Sequence, residues 1–166
     1  MTAPPTGHRM LTLYLNNHLA GAEAGTRRAR RLARTRSGSD AGRPLRQLAA
    51  DIACDEASLR RLMRELGVPE RRPYAWLGRA GELAGLLKPN GTLLRRSPLT
   101  DLVELEALRL GVVGKRQLWA VLADRLGDDP RVDPARLGEL VDRADRQAEL
   151  LEELRLRAAG VLAPGA

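Results

Sequence analysis

The chain has 166 residues and 43% hydrophobic content, enough for one domain with a core. Aromatics make up 2% and Phe is absent, so Leu and Ala must fill that core; both favour helix, and few β-branched runs compete, which points to an all-α fold. The net charge of +7 sits in residues 1–46, where nine Arg face only Glu23 and Asp40, and the rest of the chain is balanced, so an anionic partner would meet the first helix and the loop after it.

Residues 1–8, with Pro4, Pro5 and Gly7, read as a disordered lead. No basic segment followed by an apolar run is present there, so no signal peptide is expected. The first helix runs from Arg9 or Met10 to Arg36 on the stripe Leu11, Leu15, Leu19, Ala22, Ala29 and Ala33, with His18 beside it. Gly21, Ala22, Ala24 and Gly25 form a small-residue patch. Each interior Gly costs about 1 kcal/mol, and close approach of a neighbouring helix is the expected return. Arg27, Arg28, Arg30, Arg31, Arg34 and Arg36 crowd the end of this helix. They could contact nucleic acid or another anion by counterion release, or they are a solvated helix end whose cations favour the C-terminal dipole. No aromatic lies nearby for stacking on single strands.

A flexible loop over residues 37–42 leads to Pro44, which suits a first helical turn. Leu45, Leu48, Ile52, Asp55, Leu59, Leu62 and Leu66 then step by three and four residues without a miss. Six are hydrophobes and one is a carboxylate, the pattern of a long bundle helix with something polar inside. Gly67 is its expected stop. The stretch 48–62 can also be laid on a helix-turn-helix, with Ala53-Cys54-Asp55 as the turn and Ser58, Arg60 and Arg61 towards DNA. The unbroken heptad and the lack of Gly in that turn predict a continuous helix instead. Cys54 is the only cysteine, which excludes a disulfide framework and a Cys-type zinc site.

Residues 68–73 read as a linker, Tyr74 to Leu87 as a short crossover helix, and Pro89-Asn90-Gly91 as a turn. Ser97-Pro98 opens the next long helix, which Gly127 ends. It carries the stripe Leu99, Val103, Glu106, Leu110 and Val113, and a second one of Leu102, Leu105, Val112, Trp119 and Leu126. Trp119 is therefore expected in the core, with Trp76 as a neighbour. Asp133-Pro134 opens the last helix, on Leu137, Val141, Ala144, Ala148, Leu151 and Leu154, with Gln147 at its flank and Gly160 as its stop. Residues 9–160 thus form one domain, a four-helix bundle with a short crossover helix, and 161–166 a flexible tail. No stretch reaches membrane-spanning length, so a cytoplasmic protein with no membrane partner is expected.

His18, Asp55, Glu106 and Gln147 each fall on or beside an apolar stripe, so they are expected to converge as a polar layer, with Lys115 or an Arg as counter-charge. Carboxylates and His from facing helices build di-iron bundles, whose Glu-x-x-His pairs supply the nitrogen ligands. This chain has no Glu-x-x-His and only His8 and His18. The expectation is an ionic and hydrogen-bonded network, with no metal, no cofactor and no catalytic residue.

Tyr14-Leu15-Asn16-Asn17-His18-Leu19-Ala20-Gly21-Ala22, Leu87-Lys88-Pro89-Asn90-Gly91, Ser97-Pro98-Leu99, Glu104-Leu105-Glu106, Gly111, Gly114-Lys115 and Leu118-Trp119 resemble segments of a family of uncharacterised actinobacterial proteins. The likeness covers most of the chain from Met10 on. It implies a ferritin-like bundle in an up-down arrangement and carries over no activity and no catalytic residue. The functional expectation is a non-enzymatic helical-bundle protein acting by association with itself or with another protein. The alternatives are nucleic-acid binding, through the Arg-rich helix end or the 48–62 segment, and a degenerate ferritin-like metal-binding protein.

Overall fold

The computed structural model describes residues 6–71 and 98–163. Among them are four helices and no strand: α1 (Thr6–Thr35), α2 (Gly42–Glu65), α3 (Pro98–Leu126) and α4 (Pro134–Ala158), followed by a 3-10 turn over Ala159–Leu162. The expected crossover helix at Tyr74 to Leu87, with Trp76, lies outside the described residues. Two boundaries differ from the sequence reading. Thr6, Gly7 and His8 belong to α1 and not to a disordered lead: no proline interrupts Thr6–Thr35, and Thr12 Oγ1 donates to the His8 carbonyl at 2.8 Å. The expected tail begins inside the 3-10 turn, which includes Val161 and Leu162.

The helix ends follow local chemistry. Between α1 and α2 the chain turns through Ser39 N to Arg36 O at 3.0 Å and Gly42 N to Ser39 O at 2.8 Å. A Cβ at Gly42 would lie 2.5 Å from the Arg36 carbonyl oxygen, so only glycine lets α2 begin there. At its other end Gly67 takes φ +68°. Gly67 N bonds to Arg64 O at 3.1 Å and Val68 N to Met63 O at 2.8 Å, the paired bonds of a Schellman stop. Val68 and Met63 are both buried beside that stop. At the start of α4, Asp133 accepts from Ala135 N at 3.0 Å, with Pro134 at the first helical position.

α1 packs along α2, α3 packs along α4, and α1 also meets α3. Two apolar clusters fill the interior. One joins Leu15 and Leu19 of α1 to Leu59, Leu62 and Met63 of α2, Leu118, Trp119 and Leu122 of α3, and Leu137 and Leu140 of α4. The other joins Ala29 and Leu32 to Leu45, Leu48 and Ile52, Leu105, Leu108 and Val112, and Leu151 and Leu154. Early α1 therefore lies level with late α2, late α3 and early α4. The helices run up, down, down, up, and the chain leaves α2 at one end of the bundle and re-enters α3 at the other. The seam between α2 and α4 is bridged by long polar side chains, such as Arg136 donating to Glu65 at 3.3 Å. No described helix is long and apolar enough to cross a membrane.

Candidate functional site

Between the two apolar clusters lies an ionic layer. α2 supplies Asp55 between Ile52 and Leu59, α3 supplies Lys115 between Val112 and Leu118, and α4 supplies Arg143 and Gln147 on successive turns. Lys115 Nζ pairs with Asp55 Oδ2 and donates to Gln147 Oε1. Gln147 Nε2 donates to Asp55 Oδ2 at 2.9 Å, and Arg143 Nε donates to Asp55 Oδ1 at 2.6 Å. The Asp55 side chain is 1% exposed and that of Arg143 is 33% exposed. Arg143 thus reaches in from the surface along its aliphatic stem. Burial holds the Lys115 ammonium below the ordinary lysine value, against the opposing pull of Asp55. α1 crosses this level between Leu19 and Ala29. Thr26 is buried there, and its hydroxyl has no hydrogen-bond partner among the described residues.

Three of the five residues expected in the layer meet: Asp55, Gln147 and Lys115. His18 and Glu106 do not. His18 stands in sequence between Leu15 and Leu19 of the Trp119 cluster, its ring edge-on to Tyr14 at 4.7 Å, and burial lowers its pKa. Glu106 is half-exposed on the outer side of α3 and faces Arg155 at 3.6 Å. Sequence reasoning missed Arg143, one turn before Gln147. It also missed Asn16, buried on α1. Asn16 Nδ2 donates to Pro69 O at 3.0 Å and its Oδ1 accepts from Arg71 N at 2.6 Å, so it ties the segment after α2 back onto α1.

Both Asp55 oxygens are occupied by cations and an amide, so the layer presents no idle carboxylate for acid–base work. Among the described residues no three His, Cys, Asp or Glu are grouped to hold a metal ion. α2 is helical straight through Ala53, Cys54 and Asp55, so 48–62 is not a helix-turn-helix. Arg60, assigned to DNA in that reading, clamps α1 and α2 by donating to Glu23 at 2.5 Å and Glu56 at 3.2 Å, and it pairs with Glu70. Arg61 bonds Glu65 at 3.1 Å. Within the Arg-rich end of α1, Arg31 bonds Glu104 at 2.7 Å and Arg36 pairs with Asp101. Arg27, Arg30 and Arg34 are exposed, and Arg28 is half-buried. A hollow of about 380 Å³ opens at this end of the bundle, lined by Leu32, Leu45, Leu105 and Leu154, with Arg36, Asp101 and Arg157 among its polar residues.

The outer side of α3 carries exposed hydrophobes, as do α1 at Met10 and Leu13 and α4 at Leu156. Its two stripes are both apolar, and the structure turns Leu102, Leu105, Val112 and Trp119 inward. The stripe holding Glu106 faces out, which is why Glu106 misses the layer. Leu110 is 66% and Val121 43% exposed on that face. The hydrophobic residues of α3 are thus spread around the helix more evenly than those of α1, α2 and α4. Gly111 and Gly114 also belong to α3, and a Cβ at either would meet nothing within 4 Å among the described residues. Of the small-residue patch on α1, Gly25 marks no close approach: a Cβ there would meet nothing within 4 Å among the described residues. Compared with protein-family models, with curated proteins and with solved structures, the chain matches none.

Proposed function

We propose that this chain is a non-enzymatic helical-bundle protein that works by associating with a polypeptide surface through the outer face of α3. The observation that carries the reading is the exposure of Leu110 and Val121, with half-buried Val103 on the same stripe, on a helix whose opposite side is already in the core. Apolar side chains aligned on one outer face mark interaction sites. The ionic layer supports a scaffold role, since its carboxylate is satisfied within the chain. Helix order up, down, down, up with one long connection supports a ferritin-like bundle and membership of the actinobacterial family that the chain resembles. A cytoplasmic setting belongs to the same proposal, in keeping with the lone Cys54.

A photo-crosslinking amino acid at position 110 tests the association in living cells, with the same probe at Glu139, exposed on α4, as the control. Covalent adducts to a polypeptide at 110 and none at 139 are expected. No adduct at 110, or equal labelling at both positions, contradicts the reading.

A further inference from the structure

We infer that the α1–α2 hairpin carries a second interaction surface, a row of arginines that binds the phosphate backbone of double-stranded nucleic acid without reading its sequence. The row lies on the other hairpin from α3 and is independent of what α3 contacts. Glu23 of α1 meets Arg60 of α2 at the surface edge of the seam between the two helices. Arg27, Arg30 and Arg34 follow Glu23 at four, seven and eleven residues, so they continue along the same edge of α1 towards the loop. Arg46 lies about four turns before Arg60 and continues the facing edge of α2, with Arg43 beside it. All five are exposed. At one end of the seam Glu23, Glu56 and Glu70 neutralise Arg60. At the other end no acid pairs with Arg27, Arg30, Arg34, Arg43 or Arg46 among the described residues, Asp40 in the loop included.

The helix dipole does not account for this placement. It favours Arg34 in the last turn of α1, but Arg27 and Arg30 stand more than a turn inside. Arg43 sits in the first turn of α2, where the dipole opposes a cation, and that turn has no acidic residue and no side-chain cap. Positive charge from two helices and one helix end thus converges with nothing in the chain to offset it, the footprint of a polyanion site. The chemistry of the face selects the polyanion. No large hydrophobe is exposed from Arg27 to Arg46, so the face offers a bilayer nothing to insert and an acidic protein no apolar anchor. α2 has no Tyr, Trp or Phe, and α1 has only Tyr14 at its far end, so single strands find nothing to stack on. The row on α1 rises about 10 Å, a rigid line of charge along which successive phosphates of a duplex strand can be met.

Fluorescence anisotropy of the full chain with a short labelled DNA duplex of mixed sequence reads the outcome across a salt series. The expected result is binding that weakens about 10²-fold from about 50 to about 200 mM salt, as contacts from Arg27, Arg30, Arg34 and Arg46 require. Arg30→Gln should lower the slope of log affinity against log salt by about one. Changing Arg27, Arg30 and Arg34 together to Gln should weaken low-salt binding more than about 10-fold. Helical circular dichroism and the melting temperature should not change, because none of the three pairs with an acid among the described residues. Arg146→Gln removes an equal charge from an exposed position on α4 and should leave the slope as it is. No binding at low salt, or the same effect from Arg30→Gln and Arg146→Gln, overturns the inference. Tighter binding to single strands than to duplex also overturns it. So does binding to phosphatidylserine vesicles that the duplex fails to displace, since the partner is then a membrane surface.

Discussion

Replacing Asp55 by Leu should be among the most damaging single changes in the chain, and Lys115 is the reason. The Asp55 carboxylate is 1% exposed and receives Lys115, Arg143 and Gln147. Without it Arg143, a third exposed, can swing to water at little cost. Lys115 cannot, and its ammonium is left buried with only the Gln147 oxygen. Breaking a buried pair by removing one partner costs about 3–5 kcal/mol, roughly a 10 °C fall in Tm for a chain of this size. Removing both charges should cost far less, because an apolar pair of similar volume is about neutral to stabilising. Asp55→Leu with Lys115→Met should therefore recover most of the loss, with a coupling of about 3 kcal/mol. Guanidinium unfolding of the native chain, both single variants and the double variant gives all four corners. A cost below about 1 kcal/mol for Asp55→Leu, or strictly additive effects, would refute the reasoning.

Trp119 is 1% exposed, and Trp119→Ala should cost about 3–5 kcal/mol in the same unfolding assay; a native-like midpoint would count against its place in the core. His18 has a pKa lowered by burial below its ordinary 6.5. The unfolded chain then binds the proton first, so stability should fall as pH drops from about 6.5 towards the folded-state pKa and level off beneath it. His18→Phe should remove that slope from a series of unfolding midpoints, and an unchanged slope would place the titration elsewhere.

The parts legible in the sequence are those where spacing leaves one answer. α2 carries a single apolar stripe, so its continuity, the inward position of Asp55 and the stop at Gly67 all followed from period and turn chemistry. α3 carries two stripes of similar hydrophobicity, and period alone cannot say which faces the core. Placing Glu106 inside was the consequence. The structure decides through the bulk of Trp119 and the reach of Lys115 to Asp55 and Gln147. Arg143 was illegible for a different reason, because a long side chain joins a buried site from a surface position and leaves no gap in the apolar pattern. His18 lies beside its stripe, and proximity to hydrophobes there means packing against Tyr14 and not membership of the ionic layer.

The central claim is that the outer face of α3 is a surface on which another polypeptide docks. Photo-crosslinking from position 110 in living cells tests it most directly. The account predicts covalent adducts to a polypeptide from position 110 that are absent when the probe stands at Glu139. No adduct at 110, or equal labelling at both positions, would contradict it.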